Sequence, residues 1–295
     1  MAYHSLQDLV ALAEQTGRTL PQLVLENELQ LTGMTRTQLE EELDRRLEVM
    51  RTSAQKALHA PQKMACSLIT GQAQRQQNYL DKNGNDCLVG AYANQAMAMA
   101  LSCSEVNASM GRICAAPTAG SCGILPAVLC TLESRYSYTA PQLRAALLAA
   151  CGVGAVVMRN ATVAGAEGGC QAECGTAAAM AAAACVQLKG GSAVQMVNAA
   201  ALALVNVMGL VCDPVAGLVQ LPCSFRNASG AVNALLSADL ALAGQAPGIP
   251  PDEVVDAMYR TGRKLPLELR ETALGGMAAE PAAKQVAKQL QQGQA

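Results

Sequence analysis

From about residue 86 to residue 244 the chain alternates runs of Ala, Met and Val, each of helical length, with short loops of Gly, Pro, Asn and Thr. Apolar–polar alternation with a period of two is nowhere sustained, so the sequence carries no strand signal. Hydrophobic residues make up 51% of the 295, yet only 2% are aromatic, with no Trp and one Phe. A core without large rings is filled by bringing backbones close, and Ala joins the strongest helix propensity to a minimal side chain. The reading is an all-α fold, a compact Ala-rich helical domain with Gly/Pro loops.

Local punctuation divides it. Ser5 caps a helix ending at Gly17, and Thr19 with Pro21 opens a second that stops at Gly33. Thr37-Gln-Leu-Glu40 reads as the capping box of a third, charged helix running to His59. Residues 1–62 thus form an amphipathic helical segment in which Glu40, Glu41, Glu42, Asp44, Arg45 and Arg46 mark a solvated face. Residues 63–280 form the helical core and 281–295 a peripheral tail, all within one domain. In the core, Asp81 to Asp86 reads as a turn. Helices are expected from Thr139 and Pro141 to about Met158, from Gln171 to Leu188 and from Ser192 to Leu210. Ala145 to Met158 is too short to span a bilayer. Ser192 to Cys212 is long enough, but Gln195, Asn198 and Asn206 interrupt it and no Lys/Arg asymmetry flanks it. Core helices are expected, not membrane spans.

A net charge of −2, scattered basic residues and few aromatics leave no footprint for nucleic acid. Met-Ala-Tyr-His-Ser-Leu-Gln-Asp at the start lacks the basic and apolar regions of a signal peptide, so a cytoplasmic location is expected. The twelve Cys are then expected to be reduced thiols. Cys130, Cys151 and Cys185, in Ala-rich runs, read as small buried hydrophobes.

Three loops are expected to carry the chemistry. Pro117-Thr-Ala-Gly-Ser-Cys-Gly123 leads into an apolar helix, and its backbone N–H groups with the Thr118 and Ser121 hydroxyls suit a carboxylate or phosphate. A tight helix–loop crossing that needs Gly for geometry explains it equally well. The second loop, Arg159 to Cys170, holds Asn160 and delivers Cys170 to a helix start, where the dipole favours a thiolate. The third runs from Cys212 to Cys223 and is stiffened by Pro214 and Pro222. No Cys-x-x-Cys pair exists, and the two His, His4 and His59, lie far from these loops, which disfavours structural zinc. Cys170 and Cys174 share the first spacing of a radical-type Cys-x3-Cys-x2-Cys motif, but position 177 is Ala; Cys174 reads as core. No ferredoxin-type run is present. Three Cys are an odd ligand set, although three thiolates can hold three corners of a cubane cluster and leave the fourth iron free as a Lewis acid.

At these residues the chain closely resembles the α chain, or α domain, of iron–sulfur-dependent L-serine dehydratases. The resemblance rests on Glu105-Val-Asn-Ala-Ser-Met-Gly111, Ala116-Pro-Thr-Ala-Gly-Ser121, Gly165-Ala-Glu-Gly-Gly-Cys-Gln-Ala-Glu173, Gly209-Leu-Val-Cys-Asp-Pro-Val-Ala-Gly217, Leu221-Pro-Cys223 with Arg226-Asn227, and Arg270-Glu-Thr272 with Gly275-Gly276. It covers about residues 5–280. It implies a [4Fe-4S] cluster on Cys170, Cys212 and Cys223, which stand 42 and 11 residues apart. It also implies β-elimination of L-serine to pyruvate and ammonia without pyridoxal phosphate, an amino-acid degradation whose product can enter gluconeogenesis. Thr118, Gly120, Ser121 and Asn160 become candidate substrate-binding residues; no base is assigned. L-cysteine or L-threonine as substrate, and a non-catalytic helical partner subunit, are the alternatives. The family's Ser-Ser-His-Thr type motif belongs to a β chain or domain and does not occur here, so a β chain is the expected partner in a hetero-oligomer. Some single-chain members end in a Cys that can cap the fourth iron, whereas this sequence ends Gln-Gln-Gly-Gln-Ala295, and Ser67 to Ala73 matches a Gly-Gly stretch of relatives only loosely.

Overall fold

In the computed structural model, which describes residues 3–64 and 66–292, reciprocal caps set the first helices. Ser5 and Asp8 exchange side chain-to-backbone hydrogen bonds at the start of α1 (Leu6–Thr16), and Gly17 ends it in the left-handed region. Thr19 and Gln22 do the same for α2 (Leu20–Thr32). α3 (Arg36–His59) starts earlier than the Thr37–Glu40 box implies, because Thr35 and Gln38 form the box instead. Thr35-Arg-Thr-Gln-Leu-Glu40 contains two overlapping matches, and the one nearer Gly33 caps the longer helix. α4 (Gln72–Asn83) likewise runs into the expected turn, which narrows to Gly84–Asp86.

α5 (Gly90–Ala108), α6 (Ile124–Tyr136), α7 (Ala140–Asn160), the single turn α8 (Gly165–Gly168) and α9 (Thr176–Leu188) follow. The chain then forms α10 (Ala193–Val205), α11 (Cys223–Leu242), α12 (Pro251–Lys264) and α13 (Pro281–Gln291). No strand occurs among the described residues, only an isolated bridge between Cys212 and Arg270. The all-α expectation is met. Residues 293–295 of the expected tail lie outside the described residues.

α9 is buried continuously from Thr176 to Val186, and its Ala side chains let α6, α7, α10 and α11 close around it. A helix apolar on every side is a core helix. α3 lies on α5 and α6, and α2 on α7, so the N-terminal helices share one apolar cluster that extends from Tyr3 to Met258. The charged face of α3 is not wholly solvated: Arg144 of α7 reaches Asp44 at 2.9 Å and Glu40 at 3.4 Å. α7 is the one described helix long and apolar enough to cross a membrane, and it is packed against α9 and α2. The longer apolar run after Ser192 stops being helical at Val205. There Asn206 donates to Asn233 at 2.7 Å, and Leu210 accepts from the Gln171 amide, turning the chain toward Cys212.

The buried Glu105 of α5 accepts backbone N–H bonds from Gln62, Gly71 and Ala73 at 3.2, 3.1 and 2.9 Å. It thereby ties Gln62, Gly71 and Ala73 together and stands at the N-terminus of α4, whose dipole favours an acidic side chain. Gly123 is a second fixed point, at the entry to α6. A Cβ there would stand 2.6 Å from the Ala100 carbonyl oxygen, a backbone atom of α5. Gly123→Ala is therefore expected to cost about 1–3 kcal/mol in chemical denaturation, as other overpacked cores do. An unchanged midpoint would show slack at the α5–α6 crossing.

Candidate metal centre

Three segments meet at one buried spot. Cys170 opens the widened π-turn Gln171–Gly175 that leads into α9, Cys212 lies in the extended stretch after α10, and Cys223 is the first residue of α11. One donor atom each from Cys170, Glu173 and Cys212 lie within 4.8 Å of one another. Cys223 stands outside this triangle but is equally buried.

Backbone-directed side chains lace the segments together. Gln171, fully buried, donates to the Gly168 and Met258 carbonyls at 2.9 and 3.1 Å and accepts from the Gly209 amide at 2.8 Å. The Cys212 amide donates to Leu269 at 2.8 Å, and its carbonyl accepts from the Glu271 amide at 2.7 Å. Asp213 accepts from the Met277 amide at 2.7 Å and pairs with Arg226 at 2.8 Å. Arg226 also donates to the Val211 carbonyl at 2.9 Å and reaches the Cys170 sulfur at 3.5 Å. From the next position on α11, Asn227 donates to the Gly120 and Cys223 carbonyls at 2.8 and 2.9 Å and accepts from the Gly123 amide at 2.8 Å.

The charge state follows from this packing. Thiol hydrogen bonds from Cys174 and Cys212, with the Arg226 guanidinium beside it, hold the Cys170 thiol far below its ordinary range. Its two thiol donors are pushed up correspondingly. Burial, reinforced by the Cys170 and Glu173 charges, raises Cys223 to about 12. Burial also raises Glu173 to about 7, against the hydrogen bond from Thr118. Without metal the site thus holds one thiolate shared among thiols, and metal binding would release the remaining protons. The donor set suits a thiolate-ligated metal group. Gly165 lets three donor-bearing side chains close in on one backbone position: a Cβ there would stand 2.8 Å from Glu173 Oε2, 3.0 Å from Cys212 Sγ and 3.2 Å from Glu271 Oε2.

The candidate substrate residues divide. Thr118 donates to Glu173 Oε1 at 2.7 Å and lies 3.1 Å from the Ser121 hydroxyl, and a Cβ on Gly120 would stand 2.9 Å from the same carboxylate. All three therefore border the thiol-lined spot through Glu173. Asn160 ends α7 and donates to the His4 carbonyl at 2.7 Å, a contact the structure keeps separate from that network. All twelve Cys are free thiols; Cys130 and Cys185 are buried, and Cys151 is partly so.

A family model described as "Serine dehydratase alpha chain" matches residues 15–278. The chain belongs to the serine dehydratase alpha chain family. The L-serine dehydratase alpha chain of Peptoniphilus asaccharolyticus is 45% identical over 275 residues, covering 93% of this chain and 94% of that one. The probable L-serine dehydratase alpha chain of Bacillus subtilis (strain 168) is 40% identical, covering 98% and 95%. L-serine dehydratase 2 of Escherichia coli (strain K12) is 37% identical over 94% of this chain but only 61% of its own length.

Sequence reading of this serine dehydratase alpha chain missed the roles of Glu173, Arg226, Asp213 and Gly165. A signal existed for two of them. Glu173 follows Cys170 by three residues and Arg226 follows Cys223 by three, one helical turn in each case. For Asp213 and Gly165 the partners lie on distant segments, and nothing local announces them.

Proposed function

We propose that this chain is the α chain of an iron–sulfur L-serine dehydratase, which eliminates water and then ammonia from L-serine to leave pyruvate. The observation that carries the reading is the convergence of Cys170, Cys212 and Glu173, with Cys223 beside them, at a buried spot in a chain of this family. Cys170, Cys212 and Cys223 would hold a [4Fe-4S] cluster. When bound, the cluster supplies a Lewis-acidic iron that makes hydroxide a better leaving group.

The chain's own residues do the rest. Arg226 offsets thiolate charge and holds Cys170 in place. Gly165, lacking a Cβ, lets Glu173 and Cys212 approach one backbone position without a clash. Thr118, Gly120 and Ser121 border this spot through Glu173, which supports their role in binding the substrate's carboxylate or ammonium. All seven lysines are exposed, so none stands in the site to form a Schiff base, which supports chemistry without pyridoxal phosphate. The longer Escherichia coli relative extends well beyond the matched region while the relatives named alpha chain do not, which supports a separate β chain and a hetero-oligomer. Twelve unpaired thiols support a reducing, cytoplasmic location.

Anaerobic reconstitution with iron and sulfide, followed by a deamination assay with and without a candidate β chain, tests the reading. Bound iron and sulfide with pyruvate formed from L-serine is the expected result, and L-cysteine and L-threonine in parallel rank the substrates. Colourless protein that yields no pyruvate with its partner present would sink it.

A further inference from the structure

Three cysteines would supply three ligands, and the structure places a carboxyl donor beside two of them. Glu173 stands one helical turn after Cys170 and shares the 4.8 Å donor group with Cys170 and Cys212. Its nearest protein partner is a neutral hydroxyl, Thr118 Oγ1 at 2.7 Å. The neighbouring guanidinium, Arg226, is engaged with Asp213, the Val211 carbonyl and Cys170. Glu271 Oε2 approaches the Gly165 position from the opposite segment, at 3.2 Å from a Cβ built there. Carboxyl oxygens of Glu173 and Glu271 and the sulfurs of Cys170 and Cys212 thus converge on one spot, a donor set that a shared cation would hold together. Glu271 itself is exposed on its segment, whereas Glu173 is carried on the helical turn that carries Cys170.

Resting on the iron–sulfur reading above, we propose that Glu173 is the resident fourth ligand of the cluster, holding by its carboxylate the iron that the three cysteines leave free. Thr118 orients the carboxylate through Oε1, and the absence of a Cβ at Gly165 spares Oε2 a clash. Ligation here is a reversible exchange in which no electron moves and no covalent bond of the protein changes. Substrate therefore competes with Glu173 for one position. A carboxylate suits that task because it is a harder and more readily displaced ligand for iron than thiolate.

The test uses the full chain, anaerobically reconstituted with iron and sulfide, in wild-type, Glu173→Gln and Glu173→Asp forms. Gln keeps the shape and the Thr118 partner but removes the charge, and Asp keeps the charge but shortens the reach. Mössbauer spectroscopy is expected to show one iron of wild type distinct from the others, with its signature changed in both variants at unchanged iron and sulfide content. Loss of one iron in air is expected to be about tenfold faster in both variants. Spectra or rates that match wild type in Glu173→Gln would overturn the inference. So would a Glu173→Asp protein identical to wild type beside an altered Gln variant, since that pattern marks an electrostatic role only. A wild-type chain that takes up neither iron nor sulfide would overturn the iron–sulfur reading and this inference together, whereas a four-iron protein indifferent to residue 173 overturns this inference alone.

Discussion

Cys170→Ser, Cys212→Ser and Cys223→Ser are each expected to abolish stable iron binding and to lower serine deamination by more than about 100-fold. Changes to residues that merely support a metal ligand cost about 10–100-fold, and loss of the ligand itself exceeds that. The structure makes the three substitutions comparable although only Cys170 and Cys212 belong to the tightest donor group. Each thiol is buried, at 1%, 2% and 7% exposure, so no water stands ready to replace a missing sulfur. Each is also delivered by a different segment, so loss of one sulfur removes the contribution of a whole segment to the site. Cys130→Ala and Cys185→Ala are the controls, because chiefly burial pushes those thiols up and they lie in the apolar cluster. They should keep full iron content at a modest loss of stability. Iron content unchanged in all three ligand variants would refute the assignment.

Arg226→Met is expected to destabilise the metal-free protein by about 3–5 kcal/mol, a drop in melting temperature on the order of 10 °C. Asp213 is 3% exposed, and its ion pair to Arg226 at 2.8 Å is the contact that offsets its charge. Met fills much of the guanidinium's volume, so the measured loss reports the abandoned carboxylate rather than a cavity. The same guanidinium caps the Val211 carbonyl and stabilises the Cys170 thiolate, so iron retention should fall about tenfold as well. The Arg226→Met, Asp213→Asn double variant removes the unpaired charge and should recover a substantial part of the stability but not the iron retention. A melting temperature within a degree of wild type for the single variant would show that the pair contributes nothing net.

The two expectations draw on different amounts of sequence information. The cysteines stood out because they end or begin loops whose neighbours are polar, and the family motifs around them separate three of twelve. Arg226 stood in a quoted motif without a role. Its partners, Cys170 and Asp213, lie 56 and 13 residues away in the chain, and no spacing rule links a helix to loops at those distances. Glu173, like Arg226, lies in a family motif that gives it no role. Its meaning depends on Thr118, 55 residues earlier, and on the glycine at 165, where a Cβ would clash with Oε2. Asn160, chosen for its loop, turned out to be tied to the His4 carbonyl. Even the helix boundaries that shifted did so for reasons of this kind: α10 stops at Val205 because Asn206 finds Asn233 and Ser237 on α11.

By itself the sequence determined what acts within a turn or two of chain. Helix starts at Ser5 and Thr19, stops at Gly17 and Gly33 and the all-α class follow from capping, from left-handed glycine and from the absence of a two-residue period. Those interactions close over three or four residues and need no tertiary partner. Only the tertiary structure decided which charged groups face the thiols. Cys212 is held by a segment near Leu269 to Glu271, Asp213 by Arg226 and Met277, and the 118–121 turn by Asn227, all across separations that local rules do not reach. The physical reason is burial: a carboxylate or thiolate removed from water must be matched by whatever donors the folded chain brings to it, and that match exists only once the helices have packed.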